Sequence, residues 1–261
     1  MKKMLALLLA VLMIVGMTAC ASKAKTDSDI AYVKDKGTLI VGITDFAPMD
    51  YKDDKGEWIG FDADMAKAFA KTLGVDVEFV EIDWGSKHLE LEAKNIDVVW
   101  NGMTLTEDVK KLMDCSNAYC TNAQVVIVPA DGADQYKEAA DCAELNFAVE
   151  SGSAGEKEAL ANDFTCIPVD TQAKAVMEVA SGTSDACIID LLMAGAVIGE
   201  GTAYPDLVPT VSLNSEEYGV GFRKGSDLVA ALNQFFADSY KDGSMMECAE
   251  TYGLQFALIA Q

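Results

Sequence analysis

A chain of 261 residues has room for one large domain or two small ones, and 51 % hydrophobic with 24 % charged residues is a globular composition with an ample core. The formal net charge is −22, from 42 acidic and 20 basic residues. A surface this acidic repels phosphate backbones and anionic headgroups, which excludes nucleic acid and lipid surfaces as partners of the folded part. The charge serves solubility first, and attraction of cationic ligands second.

Lys2 and Lys3 precede an unbroken apolar stretch from Met4 to Val15, of signal-peptide length and too short to span a bilayer. Gly16-Met17-Thr18-Ala19-Cys20 follows and resembles a bacterial lipobox, with Met17 where that pattern more often has Leu. The resemblance implies a signal peptide over 1–19, cleavage before Cys20 and a diacylglyceryl thioether on Cys20. An ordinary secretory signal cleaved nearby is the alternative. At roughly 0.8 kcal/mol per buried CH2, two or three acyl chains hold a protein at a membrane. Losing Lys2 and Lys3 leaves a mature charge of −22 − 2 = −24. Residues 20–30, small and polar after Cys20, read as a lipid-anchored linker.

Thr38 to Thr44 is a buried-strand run ending in the loop Asp45-Phe46-Ala47-Pro48. Residues 51–60 pattern as a hairpin turning at Asp54-Lys55-Gly56. Asp62 stands as N-cap to a helix on which Phe61, Met65, Phe69 and Leu73 recur, stopped by Gly74. A strand over Val75 to Ile82, a short helix from Ser86 to Lys94 and a buried strand from Ile96 to Trp100 follow. Then come the loop Asn101-Gly102-Met103-Thr104, a short helix capped by Thr106, and a strand from Gln124 to Pro129. The same grammar restarts after a polar break near 131–141. It gives strands at 147–150, 166–169, 186–190 and 207–213, with helices at 153–162, 171–181 and after Asp190. A strand from Tyr218 to Phe222 and helices near 226–240 and 243–252 close the chain. Strands alternating with helices imply mostly parallel sheets with right-handed crossovers.

The last two helices lack strands of their own and pack back on the first unit. The expected organisation is a discontinuous lobe 1 over 31–128 plus 216–261, a continuous lobe 2 over 133–211, and hinge strands at 129–132 and 212–215. Beyond Cys20 there are six cysteines; Cys166 and Cys187 sit in apolar runs as small hydrophobes, and Cys115 with Cys120 is the pair to test first for a disulfide. His88, the single histidine, reads as a solvated helix residue, and no cysteine pair has zinc-site spacing, so no metal is expected.

Six segments form an ordered set. In the first unit they are Gly42-Ile43-Thr44-Asp45-Phe46-Ala47-Pro48-Met49, Gly60-Phe61-Asp62-Ala63-Asp64-Met65-Ala66-Lys67-Ala68 and Asp97-Val98-Val99-Trp100-Asn101-Gly102-Met103-Thr104-Leu105-Thr106. In the second they are Val149-Glu150-Ser151-Gly152-Ser153, Ser184-Asp185-Ala186-Cys187-Ile188-Ile189-Asp190 and Tyr218-Gly219-Val220-Gly221-Phe222-Arg223-Lys224-Gly225. From about 37 to 253 the chain resembles the extracellular solute-binding proteins of ABC importers, in the polar amino-acid branch of the type II periplasmic-binding fold. The resemblance implies an α/β protein of two lobes, each a mostly parallel sheet flanked by helices, closing on a ligand about two hinge crossings. It implies a monomeric lipoprotein outside the cytoplasm, held to the bacterial cell membrane through Cys20 alone, handing an amino acid or a related small cationic or zwitterionic solute to an ABC permease, with no cofactor and no catalysis.

By the resemblance Phe46 is an aromatic clamp, Trp84 a second aromatic wall, and Asp190 the partner of an α-ammonium group. Core packing is the alternative for the aromatics and helix capping for Asp190. Asn101, Gly102, Met103 and Thr104 offer hydrogen bonds from a strand-to-helix loop, with Thr106 at the edge of the set. Gly152, Ser153 and Ala154 open a helix whose free N–H groups favour a carboxylate. Asp45, Asp83, Glu150 and Asp190 are acidic residues at or near predicted strand ends, which favours a positively charged ligand. The resembled proteins carry a carboxylate-clamping arginine three residues after Thr106, where this chain has Val109; Lys87 or Lys110 then supplies a point charge, or the ligand has no α-carboxylate. Arg223, the single arginine, lies in a distant motif and reads as structural. The alternatives to an importer component are an enzyme of the same fold (cyclohexadienyl dehydratase-like, with Glu150 or Glu107 as base), a free-standing ligand sensor, and a binding protein that has lost its ligand.

Overall fold

The computed structural model describes residues 28–261. The expected signal peptide 1–19, Cys20 and most of the 20–30 linker lie outside the described residues. The linker ends earlier than its polarity suggested. Ser28 caps helix α1 (Asp29–Lys36) by accepting from the Ala31 amide, and its hydroxyl donates to Asp227 at 2.5 Å.

Strand β1 (Thr38–Ile43) leads through the hairpin β2 (Tyr51–Lys52) and β3 (Trp58–Ile59) to α2 (Phe61–Leu73) and β4 (Asp76–Glu81). A 3-10 turn (Trp84–Ser86) runs into α3 (Lys87–Glu92); β5 (Val98–Thr104), α4 (Glu107–Leu112), β6 (Asp114–Cys115) and β7 (Cys120–Asn122) follow. Next come β8 (Gln124–Pro129), β9 (Asn146–Glu150), α5 (Ala154–Ala161), β10 (Thr165–Val169), α6 (Gln172–Ala180), β11 (Ala186–Asp190), α7 (Leu191–Val197) and β12 (Leu207–Ser212). The chain returns through β13 (Glu216–Phe222) to α8 (Leu228–Asp242) and α9 (Ser244–Thr251). The first sheet runs β4-β1-β5-β13-β6, with β7 also on β13; the second runs β10-β9-β11-β8-β12. Within them β4-β1-β5 and β10-β9-β11 are parallel, while β13, β8 and β12 pair antiparallel. This is the two-lobed type II architecture, with one sheet to each lobe.

Two boundaries differ from expectation. Strand β8 was assigned to the end of lobe 1, with its hinge at 129–132. It pairs instead with β11 and β12, so the first crossing falls between Asn122 and Gln124. Residues Gln124 to Val128 are buried on both faces, and such a run carries no sign of which sheet it joins. Asp62 is no cap: Gly60 holds that position at φ 126°, and Asp62 turns inward from the first turn of α2.

Of the C-terminal helices, α8 packs on the first sheet, and α9 packs on α8 and α2. Phe236 of α8 meets Trp100 and Tyr119 at ring-centre separations of 5.6 Å each. Arg223 is structural: it pairs with Asp29 and Asp97 and donates to the Ile96 carbonyl at 2.7 Å, tying α1, β13 and the start of β5 together. All six cysteines after Cys20 are free thiols; Cys120, Cys142 and Cys187 are buried among hydrophobic side chains.

A Cβ at Gly60 would lie 2.2 Å from the Met49 carbonyl oxygen, in a φ region that L side chains avoid. Gly60→Ala is expected to lower unfolding stability by at least about 2 kcal/mol, read as a fall in the denaturant midpoint at unchanged m.

Candidate functional site

The carboxyl-terminal ends of strands in both sheets border one cavity of about 380 Å³. Open α/β sheets place ligands at such ends. Phe46, Asn101, Gly102, Met103, Thr104 and Trp84 line it from the first lobe, and Glu150, Gly152, Ser153, Ala154 and Asp190 from the second. Lys87 and Thr106 join them. Asp45 does not. Strand alternation buries Thr44 and Phe46 and turns Asp45 outward to an exposed position beside Glu81 and Lys52.

Several expected roles change in detail. Asn101 to Thr104 are the last residues of β5, not a loop after it. The strand continues because β13 pairs with it, with an irregularity opposite Val220. Gly102 adopts φ 54°, and the Phe46 ring fills the space a Cβ would need, at 2.4 Å. Phe46 is thus a buried wall, edge-on to Tyr218. Trp84 has one face taken by the Lys87 ammonium at 4.6 Å. Thr106 caps α4 through the Val109 amide. Of the three amides expected to bind a carboxylate, that of Gly152 donates to Glu156 Oε2 and that of Ser153 to the Glu150 carbonyl, leaving Ala154.

Sequence reasoning missed Gln172, Glu156, Lys157, Asp108 and His88, all of which border the cavity. His88 is half-buried on α3 rather than solvated. Gln172 follows the helix cap Thr171, and its strand-to-helix position was the available signal. Nothing local marks the Asp108–Lys157 pair, which joins the lobes at 3.0 Å. Lys87 also spans the gap, donating to the Trp84 carbonyl at 2.9 Å and the Gly152 carbonyl at 3.1 Å. Lys110 pairs with Glu107 outside the cavity. Val109 lines the cavity beside Leu112 and Met113. Among the described residues no cluster of His, Cys, Asp and Glu is arranged to hold a metal.

Asp190 holds the N-cap position of α7, but its side chain makes no capping bond. Oδ1 accepts from Asn122, from Gln124 at 3.0 Å and from the Tyr218 hydroxyl at 2.5 Å, and Oδ2 accepts from Gln172. Burial raises its carboxyl to about 7, with Glu216 adding and its donors opposing. Glu150 is lifted to about 8 by burial, then by Asp190, against Lys87. Burial lowers Lys87 to about 8.

Beneath the cavity Asp62 accepts from the Gly102 amide and the Tyr119 hydroxyl, each at 2.7 Å, while Asp50 accepts from Asn101 at 2.8 Å. Among the described residues the second oxygen of each acid has no hydrogen-bond partner. Burial raises Asp62 to about 7, opposed by Tyr119, Gly102 and Trp100; burial and then Asp62 hold Asp50 well above the usual carboxylate range.

Residues 39–255 match the family described as bacterial extracellular solute-binding proteins, family 3. The L-cystine-binding protein TcyJ of Escherichia coli K12 is 29 % identical over 250 residues, covering 94 % of this chain and 92 % of its own. The arginine-binding extracellular protein ArtP of Bacillus subtilis is 29 % identical over 251 residues, covering 94 % and 95 %. The crystal structure of the P235GK mutant of ArgBP from T. maritima superposes with TM-score 0.81 at 32 % identity, over 86 % of this chain and 99 % of that one. Each of the two relatives is named as a binding protein. No described helix is long and apolar enough to cross a membrane.

Asp50 and Asp62 have folded pKa values above the unfolded ones, so the native state holds extra protons as pH rises above about 4, in the case of Asp62 up to about pH 7. Stability from these groups is full below about pH 4 and declines as pH rises through that window. Asp50→Asn keeps the acceptor that Asn101 uses and removes one acid. It is expected to raise stability by about 1–3 kcal/mol at pH 8 and to change it little at pH 4, compared by thermal melts at both values.

Proposed function

Because the chain belongs to the bacterial extracellular solute-binding proteins of family 3, we propose that it is the amino-acid-binding component of an ABC importer. It captures an amino acid or a related small cationic or zwitterionic solute between its lobes and delivers it to a permease. The observation that carries this reading is the cavity at facing strand ends, bordered by both lobes and spanned by Asp108–Lys157 and by Lys87 on the Gly152 carbonyl. Its acids favour an ammonium group. Phe46, Trp84, Met103, Val109 and Leu112 supply apolar walls for a side chain. Relatives named for cystine and for arginine fit a ligand carrying an amino-acid head group.

In this reading the lobes move about two crossings, at 122–124 and 213–215, and ligand favours the closed form by touching both. Lys87 replaces the missing arginine as a point charge for the ligand carboxylate: it has three N–H donors and spends two on backbone carbonyls. The protein works outside the cytoplasm as a monomer, cleaved before Cys20 and held at the membrane by the lipid on that cysteine.

A thermal-shift screen over amino acids, polyamines and betaines tests the ligand class. One of them at a hundred times Kd is expected to stabilise the chain by about 2.7 kcal/mol; no shift with any cation or zwitterion defeats the reading. Val109→Arg restores a forked donor to the cavity wall. It is expected to tighten binding of α-carboxylate ligands by about tenfold in calorimetric titration, and to leave carboxylate-free amines unimproved.

A further inference from the structure

Burial across the cavity runs against the usual order. Its polar lining residues Lys87, Asn101, Glu150, Gln172 and Asp190 are all buried. Two of its leucines are not: Leu112 is 46 % exposed and Leu160 63 %, and both border the same cavity. Single leucines scattered over a surface are ordinary, but these two converge on one opening above a polar floor.

The helices explain the placement. On α4, Val109 and Leu112 are three residues apart and share one face, and both border the cavity. On α5, the buried Gly155 and Ala159 take the sheet side, and Glu156, Lys157 and Leu160 border the cavity. The leucines therefore stand on helices of opposite lobes at the rim of one opening. Below them Trp84, Met103 and Met113 belong to a small apolar cluster against which Val109 packs, and all four line the cavity. An apolar strip thus runs from that cluster out to the rim. The acids along it already have donors. Asp108 accepts from Lys111 at 2.9 Å and from Lys157 at 3.0 Å, and Glu156 Oε2 accepts from the Gly152 amide at 2.7 Å. A second cation on a ligand would compete for those acids and would give up water for apolar contact.

We propose that the ligand carries one amine-bearing head, held among the buried polar groups, and an uncharged aliphatic tail that lies along Val109, Met113, Leu112 and Leu160. The proposal rests on the amino-acid-binding reading above and narrows it to ligands with apolar side chains. The tail covers leucine surface that water otherwise touches in both lobes, so it also favours the closed form. Each CH2 covered there tightens binding about three- to fourfold.

The test is calorimetric titration of the full chain with L-2-aminobutyrate, L-norvaline and L-norleucine, which share one head and lengthen the tail by a CH2 at a time. L-lysine is titrated beside them, since it adds an ammonium to the norleucine tail. Affinity is expected to rise about tenfold from L-2-aminobutyrate to L-norleucine, and L-lysine to bind at least about tenfold more weakly than L-norleucine. Leu112→Ser and Leu160→Ser change exposed side chains outside the core, and each is expected to cut the ratio of L-norleucine to L-2-aminobutyrate affinity by about twofold or more. Four results overturn the apolar tail and leave the binding function standing: an affinity that does not grow with the tail, L-lysine binding more tightly than L-norleucine, a ratio undiminished in both variants, or an aliphatic series that fails while another member of the thermal-shift screen binds. Failure of every amino acid and amine to bind overturns both.

Discussion

The amides of the first crossing bind two buried acids at once, and the relation of the lobes depends on it. Asn122 and Gln124 each donate to both Asp190 and Glu216. Asp190 closes β11 in the second sheet, and Glu216 opens β13 on the return to the first. Thr104 and Asn214 complete the set on Glu216 at 2.9 Å each. Donors from both crossings surround these two buried acids, and among the described residues neither acid pairs with a lysine or arginine. A positive charge brought by a ligand therefore meets an acidic lobe 2 wall.

The same logic extends outward. Asp62 and Asp50 sit beneath the first-lobe wall with oxygens unpaired, and the wall they hold is the Asn101–Gly102 backbone. Across the gap, Gly85 and Gly152 approach so closely that a Cβ on Gly152 would lie 2.5 Å from the Gly85 Cα. Backbone meets backbone there, and Lys87 bonds across the contact. Closure therefore rests on small residues and on a lysine whose apolar stem is buried, while the surface pair of Asp108 with Lys157 is exposed and individually weak.

Most strands and helices were legible because their signals are local. The hairpin turn, the Gly74 stop and the apolar spacing of α2 each follow from backbone sterics or periodicity. The candidate site residues were legible through a family resemblance carried by short segments, and all of those candidates but Asp45 border one cavity. Asp45 failed because its neighbours Thr44 and Phe46 are buried, which turns it to solvent. Gln172, Lys157 and Asp108 were missed because each acts through a partner remote in sequence, and pairing across lobes leaves no periodic trace.

The sequence by itself determined the α/β class, the order of elements, the return of α8 and α9 to the first unit, and a valine rather than a cation at position 109. Those properties come from local propensity, patterning and residue identity. Tertiary structure decided which sheet takes β8, since a doubly buried strand suits either. It decided that Asp190 spends its oxygens on the crossings, since hydrogen-bond capacity is consumed only by neighbours folding brings near. It decided that Glu150 is buried with an acceptor unpaired among the described residues, because burial and pairing are properties of a position in space and not of a residue type.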